Sequence, residues 1–475
     1  MIWLIVYPLI TAFVLGALKD YIYKYLDLIV LSSFSIYLFV VFEITNKAWA
    51  NSLEYHLGNW HNSLGIRLHL AADGVFIVYL IAAITYLILI YASSYIEEKK
   101  GKYYVLIFIL TASLMGLVLT ADLFNLYVFF EITSIVSYAL AAVNKRRDSF
   151  EGVLKYIVVG FFSGMFILLA IILSYRATGT LDLAQLAVKM KTLSPFQQSS
   201  ILSLLLIGFG SKIALVPLHA WMPDVYTNAN ITFNTLSSAL IIKVVLYSLV
   251  KLLYSPFRDF FFGSQLQLIV LWWGVVAFLT AHLLAYQQKN IRRLLAYSSI
   301  AHIGYLVTVF SLGSKAGFIA ANFHLLNHVL MKSSLFLLSG IFTYYINSYN
   351  LDDWQGLGYQ IPYRVLLFSG VSFAMVGLPP FNGFMSKWLM VKVLLAEGYT
   401  LISFAILIGS ILSLIYYLKI IQVLYSKPQS ISVTRTEPKR LIVVTTLLAS
   451  SCLMGGLFPN PIRQLIDKTF ILLGG

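Results

Sequence analysis

The chain has 475 residues, of which 60% are hydrophobic and only 11% are charged. A soluble globular protein of this length could not cover so much apolar surface with polar groups, so the composition excludes one. The formal net charge is +14, from 33 Lys and Arg residues against 19 Asp and Glu residues. Because the basic residues lie mostly in short loops between apolar runs, this charge indicates membrane topology, and we expect no nucleic-acid partner.

Apolar runs of about 18–25 residues recur along the chain, each long enough to cross a hydrocarbon core of about 30 Å. They predict an all-α membrane protein of about 14 transmembrane helices. The first run lacks the basic start and cleavage site of a signal peptide, so we expect it to be retained. The run at 315–346 is too long for one straight helix, and we expect it to bend or break. The predicted spans are 2–18, 26–45, 73–95, 103–120, 122–143, 153–175, 200–220, 231–254, 265–286, 294–313, 315–346, 365–394, 400–425 and 440–458.

Positive charges cluster in the loops that follow odd-numbered spans. By the positive-inside rule these loops are cytoplasmic, which places both termini outside. The bias is moderate, since the connection at 176–199 also holds basic residues. No connection is long enough for a soluble domain, and residues 58–74 are expected to form a small extracellular hairpin. The basic clusters are Lys99, Lys100 and Lys102; Lys145, Arg146 and Arg147; Lys289, Arg292 and Arg293; and Lys427, Arg435, Lys439 and Arg440.

The sequence offers no redox or nucleotide chemistry. Cys452 is the sole cysteine, so disulfides and iron–sulfur ligation are excluded. GxGxxG and P-loop motifs are also absent. We therefore expect neither a cofactor nor a metal in this chain. In a respiratory complex, such a chain would be the ion-translocating subunit of an oxidoreductase.

Proline and glycine interrupt two apolar spans deep inside them. One segment reads SKIALVPLHAWMPD and the other reads VGLPPFNGFMSKW. Broken helices at corresponding positions in two halves of a chain indicate a transport site. Lys212 precedes Pro217, whereas Lys387 follows Pro379 and Pro380, as an inverted repeat of spans 4–8 and 9–13 would give. The alternative is two unrelated kinks.

Glu131 and Lys212 each lie within an almost entirely apolar span. A charge at the bilayer centre costs roughly 2.5–3.5 kcal/mol, so it is tolerated where it faces a polar interior and has a function. Glu131 shares a helical face with Tyr127, and Asp122 is expected to cap that helix. Lys212 is the natural partner of Glu131. The alternative is a structural pair, which is less favoured because buried pairs stabilise poorly.

Further titratable residues occupy later spans. Lys243 lies mid-span, too deep to reach the interface easily, although a snorkelling lysine is the alternative. His324, His328 and Lys332 recur every four residues and form one stripe on a helical face. The two histidines could also bind a metal, but no third ligand is near and HExxH chemistry is absent. A proton relay suits the stripe better, because imidazole can accept and donate a proton.

The two breaks carry their own candidates. Lys387 should lie near the backbone freed by the second break, with an interfacial lysine beside Trp388 as the alternative. His219 follows Pro217 at the first break and could link Lys212 to Lys243. His282 and His302 receive no role from these residues alone. Since no carboxylate cage for a hard cation is apparent, protons are the expected cargo, with Na⁺ left open.

These residues and their surroundings resemble the antiporter-like membrane subunits shared by Mrp-type cation/proton antiporters, respiratory complex I and membrane-bound energy-converting hydrogenases. The resemblance runs over nearly the whole chain and is strongest from about residue 70 to 390. The segments DLFNLYVFFE, SYAL and TGTLDLAQL look most like the Mrp D subunit and its hydrogenase equivalents. Other matching segments are DGVFIVYL, GFGSKIALVPLHAWMPDVYTNA, QKNIRRLLAYSSIAHIGY, FHLLNHVLMKSSLFL and GLPPFNGFMSKW.

The resemblance implies 14 transmembrane helices, inverted repeats of helices 4–8 and 9–13, and broken helices 7 and 12. It thereby predicts helices 1–3 at 1–102, the first repeat at 103–254, the second at 265–425, and helix 14 with a short tail at 426–475. The implied functional residues are the Glu131–Lys212 ion pair, the central Lys243, the relay groups His324, His328 and Lys332, and the exit-side Lys387.

Some positions depart from the family pattern. Asn290 stands where aspartate is usual, which leaves the contacts of its loop uncertain. His302 stands where glutamine is common and adds a titratable group. No long lateral helix follows the last predicted span, which disfavours the most distal subunit of complex I.

Together these features predict a proton-translocating subunit that works with other integral membrane subunits of an Mrp-like or respiratory complex. The first interpretation is a subunit resembling the D subunit of Mrp Na⁺/H⁺ antiporters. The second is the same module in a membrane-bound hydrogenase or a related ferredoxin-linked complex, where electron transfer drives it. The third is a structural membrane scaffold.

Overall fold

The computed structural model describes residues 1–59, 65–143, 147–427 and 437–470. Within these ranges 11 helices are long and apolar enough to cross a membrane. Two further apolar helices, Trp3–Leu18 and Pro362–Val376, are shorter. The predicted all-α membrane architecture is confirmed, while the total of 14 spans remains a prediction. Among the basic residues used for the topology, Lys145, Arg146 and Arg435 lie outside the described residues.

The helices follow the hydropathy pattern closely. The first helices are α1 (Trp3–Leu18), α2 (Leu26–Ala50), α3 (Ala72–Tyr95), α4 (Lys100–Leu119), α5 (Leu123–Ala141), α6 (Arg147–Thr178), α7 (Leu183–Met190), α8 (Pro195–Lys212), α9 (Trp221–Asn228), α10 (Ile231–Leu236), α11 (Ile242–Tyr254) and α12 (Arg258–Phe261). The remaining helices are α13 (Gln265–Tyr286), α14 (Ile291–Phe310), α15 (Lys315–Ile346), α16 (Leu357–Gln360), α17 (Pro362–Val376), α18 (Asn382–Ala396), α19 (Thr400–Leu424), α20 (Lys439–Leu457) and α21 (Pro459–Phe470). A π-helical turn, Ser237–Ile241, joins α10 to α11.

Packing divides the chain into two compact units. The first comprises Met1–Ile213, Leu240–Gln267 and Asp467–Gly475, and the second comprises Ala214–Ala239 and Leu268–Ile466. The first unit therefore holds α1 to α8 with α11 and α12. The second holds α9, α10, α14 to α20 and most of α13.

Both predicted helix breaks are present. Helix α8 ends at Lys212 and α9 begins at Trp221, while α17 ends at Val376 and α18 begins at Asn382. Proline causes such breaks because it lacks a backbone N–H and clashes with the preceding turn. By contrast, α15 is one continuous helix over Lys315–Ile346, so of the two expected possibilities, a bend or a break, the break is excluded.

A small antiparallel hairpin precedes α3. Strand β1 (Leu53–His56) pairs with strand β2 (Arg67–Leu70), with Leu53 opposite Leu70. The hairpin predicted at 58–74 is therefore present, but its first strand begins earlier in the chain. Residues 60–64 of the predicted segment lie outside the described residues.

The two units share one local arrangement at a helix start. Asp122 forms an antiparallel backbone bridge to Asp182, and Asn290 forms the same bridge to Asn350. In each unit the residue after the bridge begins a helix, and the bridging side chain caps it: Asp122 caps α5 and Asn290 caps α14. Asn290 accepts hydrogen bonds from the backbone N–H groups of Arg292 and Arg293, at 3.0 and 3.3 Å. An asparagine therefore serves as this cap.

Candidate ion-translocation site

Lys212 lies at the C-terminal end of α8 among aromatic rings. Its Nζ atom is 4.3 Å from the ring centroid of Tyr156, 4.7 Å from that of Tyr138 and 5.9 Å from that of Phe130. The residue is 2% exposed, and Nζ makes no hydrogen bond within the described part of the chain. Ring faces attract an ammonium group through their quadrupole. The buried lysine is therefore surrounded by aromatic faces, an arrangement that the sequence did not indicate.

Glu131 projects from α5 onto the backbone of α6. A methyl group built on Gly164 would lie 2.1 Å from Glu131 Oε1, so the carboxylate occupies the space above this glycine. The charges of Glu131 and Lys212 interact electrostatically. Within the described ranges no hydrogen bond joins Glu131 to Lys212 Nζ, and their role as a functional ion pair remains a prediction. The predicted cap of α5 is confirmed, since the Asp122 carboxylate accepts a hydrogen bond from the Asn125 N–H at 2.7 Å.

We expect Gly164→Ala to slow proton translocation several-fold without reducing assembly. The added methyl meets the end of a flexible side chain, so Glu131 moves away while the helices keep their places. Translocation by the purified complex in liposomes measures the effect. Gly16→Ala in α1 is the matched control, because its methyl meets only Val105 at 4.0 Å. Equal rates for the two variants would show that the position of Glu131 does not matter.

Lys243 lies in α11, directly after the π-helical turn at Ser237–Ile241. It is 2% exposed. Wide turns of this type are frequent at functional sites. Within the second unit, Ser238 of this turn lies 2.9 Å from Ser299, hydroxyl to hydroxyl. The structure therefore places Lys243 deep in the protein, as its mid-span position predicted.

Three histidine rings of the second unit stack in parallel. His302 Nδ1 lies 2.9 Å from His324 Nε2, within hydrogen-bonding distance. The rings of His302 and His328 are 4.6 Å apart and inclined by 2°. His324 Nδ1 lies 3.0 Å from the Ser386 hydroxyl. Since a neutral imidazole accepts at one nitrogen and donates from the other, His302 and His324 can pass a proton between them through this contact.

His302 and His282 are the residues that sequence reasoning left without a role. His302 comes from α14, whereas His324 and His328 come from α15, so no spacing along the chain could connect them. His282 lies 2.8 Å from the Tyr305 hydroxyl and 3.2 Å from the Tyr416 hydroxyl. Both histidines are fully buried. The departure of His302 from the family pattern was the one available signal.

Two further candidate site residues of the second unit, Lys332 and Lys387, donate hydrogen bonds to backbone carbonyls. Lys332 donates a hydrogen bond to the Leu295 carbonyl at 3.0 Å. Lys387 donates to the carbonyls of Val376 and Met375 at 2.8 and 3.1 Å, which are the last residues of α17. The expectation that Lys387 lies at the backbone freed by the second break is confirmed. Its role in transport remains a prediction.

His219 lies in the first break, between α8 and α9. Its ring centroid is 6.0 Å from that of Tyr297, within the second unit. Lys212 and Lys243 belong to the first unit, so the predicted link through His219 remains a prediction. Within the described ranges, no group of three or more His, Cys, Asp or Glu side chains is gathered to hold a metal ion.

The sequence of this chain matches a known protein family. Residues 120–413 match the family described as NADH:quinone oxidoreductase/Mrp antiporter, transmembrane. This chain belongs to that family. The match spans both breaks and all eight predicted site residues, from Glu131 to Lys387, so the predicted family is confirmed.

Relatives from this NADH:quinone oxidoreductase/Mrp antiporter family cover most of the chain. The NADH-quinone oxidoreductase subunit N of Desulforudis audaxviator is 32% identical over 381 residues, covering 78% of this chain and 75% of that one. The D subunit of the Na⁺/H⁺ antiporter of Alkalihalophilus pseudofirmus is 29% identical, covering 88% and 86%. A chain of the membrane-bound sulfane sulfur reductase, an archaeal respiratory membrane complex, superposes with a TM-score of 0.92 at 29% identity, covering 98% and 96%. The chain is thus an antiporter-like, multi-pass membrane subunit.

Proposed function

We propose that this chain translocates protons as one subunit of a multisubunit complex in a prokaryotic plasma membrane. The observation that carries the proposal is the histidine stack of His302, His324 and His328. It is buried in membrane helices, and its His324 end contacts Ser386, the residue next to Lys387. Ionisable side chains inside membrane helices are rare and mark sites such as proton relays, and histidine can take up and release a proton near neutral pH.

The proposed path begins at the Glu131–Lys212 pair and proceeds through Lys243 to the histidine stack, Lys332 and Lys387. When Glu131 moves away, Lys212 loses its counter-charge and gives its proton toward Lys243. Lysine suits such a path because its charge state responds to its surroundings. The return of Glu131 would reset the path. Energy would come from partner subunits or from a counter-gradient.

The shared bridges of Asp122 to Asp182 and Asn290 to Asn350 support the proposed inverted repeats. In each case a capped helix follows the bridge, and a broken helix comes later in the sequence. We propose helices 4–8 and 9–13 as the repeats, with boundaries near 103–254 and 265–425. The external location of both termini rests on the distribution of Lys and Arg and belongs to the same proposal.

Replacing Lys243 tests this function. We expect Lys243→Ala to assemble but to lose proton translocation, because no other side chain would carry the proton past this turn of α11. Lys243→Arg should fail as well, since a guanidinium keeps its proton. The measurement is proton uptake by liposomes that contain the purified native complex, driven by its own energy source.

The control is Lys155→Ala on α6, where Lys155 is an exposed lysine paired with Glu151 at 2.9 Å. This variant should keep the native rate, because exposed pairs of this kind contribute little. Normal translocation by Lys243→Ala in an assembled complex would contradict the relay and would favour a structural scaffold.

A redox-driven complex is the second candidate. It is favoured by the full-length similarity to a subunit of an archaeal respiratory membrane complex, at 29% identity. The 29% identity to the D subunit of an Na⁺/H⁺ antiporter supports the first candidate, an ion-gradient-driven complex. Purifying the native complex and identifying its companion subunits distinguishes them, because only the redox-driven complex needs iron–sulfur partners.

A further inference from the structure

Lys387 is a buried lysine with which no carboxylate forms an ion pair within the described part of the chain. Its ammonium group donates hydrogen bonds to the backbone carbonyls of Met375 and Val376. Lys212, the buried lysine at the first break, differs because the charge of Glu131 acts on it. A buried charge is costly unless other groups compensate it. The protonated form of Lys387 therefore needs a further stabilising group.

The aromatic ring of Tyr305 lies beside this ammonium group. Lys387 Nζ is 5.5 Å from the centroid of the Tyr305 ring. Tyr305 belongs to α14 and is fully buried. The face of an aromatic ring attracts a cation within about 6 Å of its centroid, and the attraction is stronger where water is excluded. The ring can thus supply the attraction that a carboxylate would otherwise give.

Tyr305 also contacts two histidines of the stack. Its ring centroid is 5.4 Å from that of His302 and 6.1 Å from that of His324, and both histidine rings are nearly perpendicular to it. Tyr305 therefore lies where the histidine stack and Lys387 meet, within the second unit.

The Tyr305 ring is held from two neighbouring helices. On α13, His282 Nε2 lies 2.8 Å from the Tyr305 hydroxyl, and the Phe278 ring packs against Tyr305 at a centroid distance of 4.4 Å. On α19, a methyl group built on Gly409 would lie 2.2 Å from the hydroxyl oxygen. The glycine leaves the space in which the hydroxyl reaches His282. The ring is consequently fixed in the orientation that faces Lys387.

From this geometry we propose that the Tyr305 ring stabilises the protonated form of Lys387, taking the place that Glu131 has at Lys212. His282 acts through Tyr305 and is a positioning residue, which gives a role to a histidine that the proton path does not use. This inference rests on the proposed function, in which Lys387 carries the transported proton.

Fluorination of the ring at position 305 tests the attraction. The ring is replaced by phenylalanine and then by phenylalanines that carry one, two and three ring fluorines, introduced during synthesis of the chain. Each fluorine weakens the negative face of the ring and changes its size little. We expect proton translocation by the purified complex in liposomes, measured at one fixed pH, to fall stepwise along the series, to several-fold below the phenylalanine variant. Equal rates along the series would overturn the proposal.

The matched control is the same fluorine series at Phe342. This ring is also fully buried in the second unit, but it packs on Trp354 and Phe368 at centroid distances of 5.2 and 5.4 Å. Its fluorination should leave the rate unchanged. An equal decline at both positions would mean that fluorine acts on packing in general, and this result would also contradict the proposal.

A double-substitution cycle tests the role of His282. His282→Leu and Tyr305→Phe remove the same hydrogen bond, so each should assemble and translocate several-fold more slowly, and the double variant should be no slower than either one. His282→Gln can still bond to the hydroxyl and should keep a near-native rate. Additive losses in the double variant, or a His282→Gln variant as slow as His282→Leu, would show that His282 does not act through Tyr305.

The outcomes separate this inference from the proposed function. If Lys387→Met stops translocation while the fluorine series leaves the rate unchanged, the role of Tyr305 is wrong and the relay stands. If Lys387→Met translocates normally in an assembled complex, Lys387 carries no transported proton. The last step of the relay and the role of Tyr305 then fail together.

Discussion

Exchange of Lys212 for methionine is expected to abolish proton translocation while leaving the complex assembled. The Lys212 ammonium lies 4.3 to 5.9 Å from three aromatic ring centroids and is 2% exposed. Methionine fills a similar volume and packs well against aromatic rings, so the three rings should keep their positions. The substitution removes the titratable group, together with its attraction to Glu131 and to the ring faces.

The Lys212 prediction is measured as proton uptake in liposomes, with the amount of assembled complex determined in parallel. Lys212→Ala should give the same loss of translocation together with lower stability, because truncation of a buried side chain leaves a cavity. Lys155→Ala serves again as the exposed-lysine control. A near-native rate for Lys212→Met would contradict the proposed role of the Glu131–Lys212 pair.

Exchange of Gly456 for alanine is expected to reduce strongly the amount of assembled complex. A methyl group on Gly456 would lie 2.1 Å from the Pro380 carbonyl oxygen, 2.4 Å from Phe381 C and 2.6 Å from Asn382 N. All three atoms are backbone atoms of the second helix break, and they cannot rotate away. Overpacking of a well-filled core costs typically about 1–3 kcal/mol, and contacts this short with backbone belong at the upper end.

The Gly456 effect is measured as the yield and the thermal unfolding midpoint of the complex after detergent extraction. Gly370→Ala on α17 is the control, because its methyl would meet only the Phe381 ring, at 3.5 Å, which is ordinary contact. Gly370→Ala should keep the native yield and midpoint. If Gly456→Ala did the same, the close approach of α20 to the break would not exist in the native protein.

The Gly456 prediction also bears on proton translocation, because the second break holds groups of the proposed proton path. Lys387 is bound by the carbonyls of Met375 and Val376, and Asn382 donates to Asn327 at 2.9 Å. A shift of this backbone therefore moves Lys387 and the helix that carries His324 and His328. Misfolding and loss of translocation should appear together in Gly456→Ala, whereas Lys212→Met should show only the second.

The spans, the two breaks and the buried lysines were predictable from the sequence because each depends on local properties. Length and hydropathy set whether a segment can cross a bilayer. Proline ends a helix through its own ring, and Asp122 caps α5 through a neighbour three residues away. A charged residue within an apolar run can be recognised from the sequence alone. Lys212, Lys243, Lys332 and Lys387 are all buried where the pattern places them.

Only the tertiary structure decided which groups meet. The aromatic faces around Lys212 come from α5 and α6, the third ring of the histidine stack comes from α14, and Tyr247 of α11 finds Asp73 on α3. Such contacts depend on how each helix is rotated about its axis and which neighbour it packs against. A uniformly apolar helix has little sequence periodicity to indicate which of its faces packs against the protein. Apolar side chains are equally suited to contact with lipid and with another helix. The sequence alone therefore identified the titratable residues, and the packing of the helices determined their partners.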